Sequence, residues 1–338
     1  MANIHPIWKD YYVKIQAGSN SPDFIYYMVS GNYGGTYYGK IYKYNGIYTI
    51  KMNEIWARML RNQTTINFDT SYISTSTLGY VQRLIFYTSN DGKSYTQYDD
   101  VYVMNDWSYK EWGGNQYHNL SDRISDVMDP RQYFITTIFD DTDIKVYFDD
   151  IYVGIGTSLQ NSAAWVLKKL NPSVKEFKAE YIEYEYVGQY DYETHIYKTE
   201  TYKLENTCKN YCLYYLNARG GWDWLVIDGV STKEYTYDRK NYQKNYNNTQ
   251  REFGLTTYRN NIKETWSLNT GYLTDTQSEK MHNIFGSLSV YLHDLVNDTI
   301  TPVVITDKKS TEKTFKNQNR RMYNYTINVE SSQDKYRM

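Results

Sequence analysis

Short runs of alternating aromatic and β-branched residues, joined by glycine-containing turns, constrain the fold of this chain more than any other feature. An Asn-Gly or Asp-Gly pair between two such runs is the strongest short-range signal for a β-hairpin. Three turns of this kind occur: Asn45-Gly46 between Gly39–Tyr44 and Ile47–Met52, Asp91-Gly92 between Val81–Ser89 and Ser94–Met104, and Gly220-Gly221 between Tyr211–Asn217 and Trp222–Ile227. Hairpins imply antiparallel sheets, so the sequence predicts a mainly β protein.

Tyrosine use supports the same fold class. The chain of 338 residues contains 41 tyrosines, which bring the aromatic fraction to 17%. Tyrosine favours strands, and its ring and hydroxyl suit surfaces that a partner later buries. An AT-rich coding sequence would also raise the tyrosine content, and that alternative stays open. The length indicates two or three domains.

One helix is predicted near the C-terminus, at about residues 274–287. Thr274 and Gln277 have the spacing of a capping box, in which each side chain binds a free backbone N–H of the first helical turn. An apolar stripe follows at helical spacing, and Gly286 is placed to end the helix. The stripe consists of Met281, Ile284, Phe285 and Leu288. Weaker helix patterns occupy residues 53–60 and 161–170.

The chain is predicted to divide into three parts. A polar stretch at 107–122, which contains Gly113-Gly114, reads as a connector, and a second break falls near 188–195. We therefore expect an N-terminal β domain at 1–106 and a middle β domain with its connector at 107–195. A C-terminal β-barrel or sandwich with the flanking helix follows at 196–338. The predicted fold class is two or three antiparallel β-sandwich or barrel domains.

Charge, hydropathy and cysteine use argue against several classes of protein. The 37 basic and 39 acidic residues are spread along the chain, unlike the basic patch of a nucleic-acid binder. No run of apolar residues is long enough for a transmembrane helix, and the N-terminus lacks the pattern of a secretory signal. Cys208 and Cys212 are the only cysteines. We expect two free thiols, as in a reducing compartment.

No catalytic, cofactor-binding or metal-ligating residues are predicted. The five histidines, the Gly31–Gly35 cluster and the rest of the chain lack the spacing of a zinc site, a P-loop, a dinucleotide fingerprint or a serine-hydrolase elbow. Two groups of aspartates offer oxygen ligands for Ca²⁺, but their spacing is not that of an EF-hand, and solvated turn residues are the simpler interpretation. These aspartates are Asp140, Asp141, Asp143, Asp149 and Asp150.

The tryptophans leave a sugar-binding alternative open. Trp107 and Trp112 lie close together in a loop-like stretch, where flat aromatic faces could stack on carbohydrate rings. Trp222 and Trp224, by contrast, alternate with Asp223 inside a predicted strand. This alternation favours a place in a hydrophobic core.

Four segments in the C-terminal part of the chain carry a resemblance to a known group of proteins. They are Tyr214–Asp223, Trp266–Asp275, Val290–Asp294 and Pro302–Asp307. Together they resemble structural proteins of crAss-like and related bacteriophages of Bacteroidales. The resemblance covers about the last 140 residues and implies a component of the virion tail, ring or hub. It brings no catalytic residues with it, because these are packing and turn motifs.

The expected function is therefore structural. We expect a homo-oligomeric ring around the DNA exit channel of a virion tail, collar or hub, which touches other tail or portal-proximal proteins. DNA would pass through the lumen without specific binding, since phosphate binding scales with clustered Lys and Arg. The protein would be made in the bacterial cytoplasm and end in the virion. A carbohydrate- or receptor-binding module is the alternative, and a glycosidase-like enzyme with two close carboxylates is the third class.

Overall fold

A computed structural model of the chain describes most of its residues, and the structural statements below refer to these. They are residues 4–6, 11–18, 20–31, 35–60, 66–68, 74–77, 81–104, 121–139, 142–157, 163–186, 192–204, 209–243, 255–307, 323–333 and 335–337. Strands account for 64% and helices for 7% of the described residues. The mainly β fold class is confirmed, with several antiparallel sheets and a short helical segment near the C-terminus.

The chain forms two compact units, each assembled from separate stretches of sequence. The first contains residues 1–122, 133–205 and 216–223, and the second contains 123–132, 206–215 and 224–338. The predicted division into three domains stays a prediction, and its boundary at residue 195 falls inside a strand that runs from Tyr192 to Lys203.

The N-terminal part of the first unit contains eight strands and one helix. They are β1 (Ile4–Pro6), β2 (Tyr12–Gln16), β3 (Phe24–Gly31), β4 (Gly35–Tyr42), β5 (Ile47–Lys51), α1 (Asn53–Leu60), β6 (Ser74–Thr77), β7 (Val81–Ser89) and β8 (Thr96–Met104). A five-stranded sheet has the order β1-β8-β7-β3-β4, in which β1 lies parallel to β8 and the other pairs are antiparallel. Strands β2 and β5 form a separate pair.

Helix α1 covers the inner face of these strands, and its prediction at residues 53–60 is confirmed. Ile55, Trp56 and Met59 lie on one side of the helix and are buried. They belong to one hydrophobic core with residues of β2, β3, β5 and β7, among them Val29 and Leu84. The amphipathic pattern is thus satisfied by burial against the sheet.

The two predicted turns in this region differ in what they connect. Asp91-Gly92 joins β7 to β8, which pair as expected. The Asp91 side chain accepts hydrogen bonds from the backbone N–H groups of Ser94 and Lys93 and from the Ser89 hydroxyl, and these bonds lower its pKa to about 2. The second turn, at Asn45-Gly46, also forms, but it joins strands of different sheets.

Asn45 and Gly46 both have positive φ, 48° and 75°, as a tight two-residue turn requires. Tyr44 and Ile47 exchange both backbone hydrogen bonds across it. Beyond that bridge β4 pairs with β3 and β5 pairs with β2. The predicted hairpin is therefore wrong as a strand pair, because each strand pairs with a different neighbour while both contribute residues to the same core.

The rest of the first unit is built from six strands. They are β9 (Tyr133–Phe139), β10 (Thr142–Phe148), β11 (Ile151–Thr157), β12 (Ala163–Lys169), β13 (Glu176–Tyr186) and β14 (Tyr192–Lys203). Their sheets have the orders β11-β10-β13-β14 and β6-β12-β9. Asp149 and Asp150 form the β10–β11 turn with φ of 47° and 65°, which confirms their interpretation as turn residues. The same interpretation is wrong for Asp143, which is a buried residue inside β10.

The helix predicted at residues 161–170 is wrong. Residues 163–169 form β12, which lies between β6 and β9 and is antiparallel to both. Trp165, Val166 and Leu167 are all buried. A strand that is buried on both faces has a continuous run of apolar residues in its sequence. The periodicity of such a run does not distinguish a buried strand from a buried helix.

The remaining strands form one large sheet, to which the second unit contributes all or most of each strand. They are β15 (Tyr211–Leu216), β16 (Trp222–Ile227), β17 (Thr232–Gln243), β18 (Leu255–Leu273), β19 (Val290–Asp294), β20 (Thr299–Ile305), β21 (Tyr323–Ser331) and β22 (Lys335–Arg337). The order is β16-β15-β19-β20-β21-β18-β17, and β22 also pairs with β18. The described strands form an open sheet with β16 and β17 at its edges, so the sandwich alternative describes it better than a barrel.

The predicted C-terminal helix consists of two short helices, α2 (Asp275–Glu279) and α3 (His282–Phe285). Met281 and Ile284 are buried in the core of the large sheet, Phe285 lies partly buried against it, and Gly286 ends α3. Leu288 is 58% exposed, so its assignment to the apolar stripe is wrong. The chain has already left the helix at Gly286, and position 288 no longer follows helical spacing.

The capping box at the start of α2 is confirmed. The Thr274 hydroxyl accepts a hydrogen bond from the Gln277 N–H at 3.3 Å, and the Gln277 side chain accepts one from the Thr274 N–H at 2.9 Å. We expect Thr274→Ala to lower the free energy of unfolding by about 1 kcal/mol. Thr276→Ala, at an exposed position inside the same helix, is the matched control and should cost nothing. Urea titrations of both variants would measure the difference, and equal midpoints would contradict a role for the cap.

Candidate functional site

The most exposed regular element in the described chain is the hairpin of β17 and β18. All twelve residues of β17 are exposed, and the facing part of β18, from Leu255 to Lys263, is exposed or half-buried. We call β17 together with residues 255–263 of β18 the arm. Its strands pair in antiparallel register from Thr232 opposite Ser267 to Gln243 opposite Leu255.

The arm has two chemically different faces, because side chains alternate along a strand. One face of β17 carries Lys233, Tyr235, Tyr237 and Arg239. Lys233 lies 5.0 Å from the centre of the Trp266 ring and pairs with Glu264 at 3.2 Å, while Arg239 lies 6.0 Å from the centre of the Tyr237 ring. The other face carries Glu234, Thr236 and Asp238.

An arm of this kind gains little stability from its own packing. A two-stranded hairpin is marginally stable in water, and stability normally requires a third strand or a covering element. Among the described strands, β18 pairs with β22 over Asn260–Ile262 and with β21 from Thr265 onward. No third described strand pairs with residues 255–259 of β18, which form the end of the arm farthest from the core. Exposed tyrosines on such an element are typical of a surface that contacts a partner.

A second exposed aromatic surface lies on the outer face of the N-terminal sheet. Phe24 and Tyr26 of β3 face outward beside Tyr38, Lys40 and Tyr42 of β4. The Lys40 ammonium lies 3.5 Å from the centre of the Phe24 ring and 5.1 Å from that of Tyr42. Tyr38 and Tyr42 are 60% and 63% exposed. We call these five residues the aromatic face.

The half-buried carboxylates of Glu200 and Glu180 accept hydrogen bonds from tyrosines and lie on opposite faces of one sheet. Glu200 accepts hydrogen bonds from the hydroxyls of Tyr181 at 2.7 Å and Tyr202 at 2.9 Å. Glu180 accepts one from the Tyr147 hydroxyl at 2.8 Å. Burial of the Tyr147 hydroxyl, and to a smaller extent its hydrogen bond to Glu180, raise the pKa of Tyr147 to about 12. Glu200 lies opposite Ala179 in the register, one residue before Glu180, so the two carboxylates point to opposite faces of the sheet.

A cysteine and a histidine meet in the second unit, but the thiol is not activated. Cys212 of β15 lies opposite His293 of β19. Burial raises the pKa of the Cys212 thiol far above its usual range, so it stays protonated at neutral pH. The His293 ring is fully buried, bonded to the Tyr214 hydroxyl at 3.2 Å and to Asp298 at 2.9 Å. Both ring nitrogens are thereby engaged in holding the β15–β19 region.

The other residues singled out in the sequence have mixed outcomes. Trp222 and Trp224 are fully buried, as predicted for core residues. Cys212 is a free thiol, whereas Cys208 lies outside the described residues. So do Trp107, Trp112, Gly113-Gly114, His118, Asp140 and Asp141. Within the described residues, no three His, Cys, Asp or Glu side chains are grouped so that they could hold a metal ion.

Asp223 is buried, although its alternation with the two tryptophans placed it on the opposite side of the strand from the core. Its carboxylate accepts hydrogen bonds from the Ser121 hydroxyl at 2.6 Å, the Asp122 N–H at 2.9 Å and the Asn217 side chain at 2.7 Å. The strand is therefore enclosed on both faces, and hydrogen bonds compensate the buried charge.

The arm was not predicted, although its sequence carries a signal. Tyr235 and Tyr237 alternate with Glu234, Thr236 and Asp238, which is a period of two. The run lacks a glycine turn and aliphatic residues, which are the features that identified the other strands in the sequence. Comparison of the sequence with protein-family models and with curated proteins found no match.

Among the described helices, none combines the length and the apolar character that a bilayer-spanning segment requires.

Proposed function

We propose that the protein is a non-enzymatic structural component of a bacteriophage virion, in the tail, collar or hub. In this role it forms a homo-oligomeric ring around the DNA exit channel and bridges neighbouring tail proteins. The observation that carries the proposal is the arm, an exposed hairpin whose tyrosines stay outside the hydrophobic cores of the described chain. A surface of this kind is stabilised when a partner covers it.

Two further observations support this function. The four segments that resemble phage structural proteins lie on or beside strands of one sheet, in β15, β16, β18, β19 and β20. They therefore belong to one structural element. The net charge of −2 also suits a conduit, because DNA passes a wall without clustered Lys and Arg more freely than a basic one.

Imaging and mass measurement of native particles test the proposal. We expect a closed cyclic oligomer in which each subunit buries more than about 2,000 Å² against its neighbours, as permanent assemblies do. Mass spectrometry of purified virions should detect the protein in ring-like stoichiometry. A protein that is absent from particles and stays monomeric at tens of micromolar would overturn the structural function.

The aromatic face favours a second candidate, a carbohydrate- or receptor-binding module of a virion. Exposed tyrosines with a neighbouring lysine are suited to stacking on sugars and binding their hydroxyls. The two functions predict different results in the same particles. A receptor-binding module would lie at the tail periphery with the aromatic face outward and would retain glycans on an array, whereas a ring component would be enclosed within the tail.

A further inference from the structure

We propose that β17 pairs with β17 of a second copy of this chain, in antiparallel register about a two-fold axis at Tyr237. The pairing would join two sheets edge to edge. It goes beyond the proposed function, since a ring can close without it and it can form without a ring. The proposal depends on the free edge of β17 and on the order of charges along that strand.

The edge of β17 is open and continuous. In the described part of the chain β17 pairs with β18 alone and ends the sheet. Its twelve residues make it about twice as long as an average strand. The register shift near Lys240 leaves Tyr258 of β18 as the extra residue, so β17 itself has no bulge.

Soluble proteins usually protect such an edge by short length, proline, bulges, covering segments or charged side chains. Of these devices β17 carries only the charges, and their order along the strand decides what they repel. The strand contains no proline, and its residues are all exposed, so no described segment covers it. Alternate backbone N–H and C=O groups along the edge point away from β18 and are available to another strand. The open edge is therefore a template for addition of a strand whose charges complement those of β17.

The charges of β17 select a second β17 as the occupant, and they select its register. In an antiparallel pair, residues directly opposite each other share a face. With the axis at Tyr237, Glu234 lies opposite Lys240 and Tyr235 lies opposite Arg239, each twice by symmetry. These are an ion pair and a cation–aromatic pair. The eleven residues from Thr232 to Tyr242 overlap in this register.

The neighbouring registers are less favourable. A two-fold axis at Thr236 would place Glu234 opposite Asp238 and Lys233 opposite Arg239, both pairs of like charge. An axis at Asp238 would place that carboxylate opposite its own copy. Like charges directly opposite each other destabilise a strand pair. The sequence of β17 is thus complementary to itself in one register and repulsive in those on either side.

Charge exchange in the full-length protein tests the pairing. Sedimentation equilibrium should show self-association of the wild type. Glu234→Lys should weaken it at least tenfold, because the introduced lysine would then face Lys240 twice, and Lys240→Glu should do the same. The double variant Glu234→Lys/Lys240→Glu should restore association. Both positions are exposed, so circular dichroism should show unchanged folding.

Cysteine cross-linking tests the register independently. Tyr237→Cys should give a disulfide-linked dimer on mild oxidation, since position 237 faces its own copy. Tyr235→Cys is the matched control, because the two copies of position 235 would lie about 13 Å apart along the strands, beyond the reach of a disulfide. Any of three results would overturn the proposal: a wild type that stays monomeric, a charge exchange that does not restore association, or equal cross-linking at both positions.

The failure of this proposal is distinguishable from that of the proposed function. A ring held by other surfaces would keep its mass in the Glu234→Lys variant, and that result would reject the β17 pair while leaving the ring intact. Conversely, a dimer that dissociates in this variant, from a protein that is absent from virions, would support the pair and reject the virion function.

Discussion

Trp56→Ala should lower the free energy of unfolding by about 3–5 kcal/mol. The Trp56 side chain is fully buried on α1 and stacks on Tyr11 with ring centres 5.1 Å apart. Its truncation would leave a cavity between the helix and the sheet, which the surrounding strands cannot fill without losing their register. Urea unfolding followed by far-ultraviolet circular dichroism measures the change without relying on tryptophan fluorescence.

Two companion variants separate packing from other causes. The Trp56 indole N–H is buried and has no hydrogen-bond partner among the described residues, so the loss should come from packing alone. Trp56→Phe should therefore cost under about 1.5 kcal/mol, because it keeps most of the ring and removes an unsatisfied donor. Arg58→Ala, on the exposed side of the same helix, should change stability by less than about 0.5 kcal/mol. Equal stability of the alanine variant and the wild type would show that α1 does not close this core.

Asp223→Ala should lower the free energy of unfolding by about 3–5 kcal/mol, because each hydrogen bond to a charged group contributes about 1.5 kcal/mol or more. The buried carboxylate accepts three hydrogen bonds, from Ser121, Asp122 and Asn217. Its removal would take this acceptor away from one buried donor, at Asn217, and from two half-buried donors, at Ser121 and Asp122. A buried donor that is left unsatisfied costs about 1–3 kcal/mol. Thermal and urea unfolding of the full chain would measure the loss.

Asp228→Ala is the matched control for that experiment. Asp228 follows the same strand, but it is exposed and pairs with Lys209 at 3.4 Å. A surface ion pair of this kind contributes about 0–1 kcal/mol, so the variant should unfold close to the wild type. If Asp223→Ala unfolds with the control, the cost of desolvating the buried carboxylate offsets its hydrogen bonds, and the group does not stabilise the fold.

Local features were predictable because neighbouring residues determine them. The turn at Asn45-Gly46 needs positive φ at two consecutive positions, which this residue pair tolerates, and the cap at Thr274 needs one side chain three residues from another. The partner of a strand is not determined locally. The divergence of β4 and β5 depends on where Tyr48 and Ile50 become buried, and these contacts involve residues far away in the sequence.

The arm shows the same limit at the level of function. Its strand contains no aliphatic run, so its extended conformation follows from pairing with β18 and could not be predicted from hydropathy. Period-two alternation at Tyr235 and Tyr237 is compatible with a strand but gives no information about exposure. Buried and exposed tyrosines look alike in a sequence, and only the pairing of the strands distinguishes them.

The interleaving of the two compact units sets the order in which they can be completed during translation. Residues 123–132 belong to the second unit, yet β21, which pairs with β18 and β20 there, begins only at Tyr323. At a synthesis rate of about 5–20 residues per second, β21 is made about ten to forty seconds after the early segment. The second unit therefore stays incomplete until its last strands are made, and chaperone binding at that stage should govern the yield of folded protein.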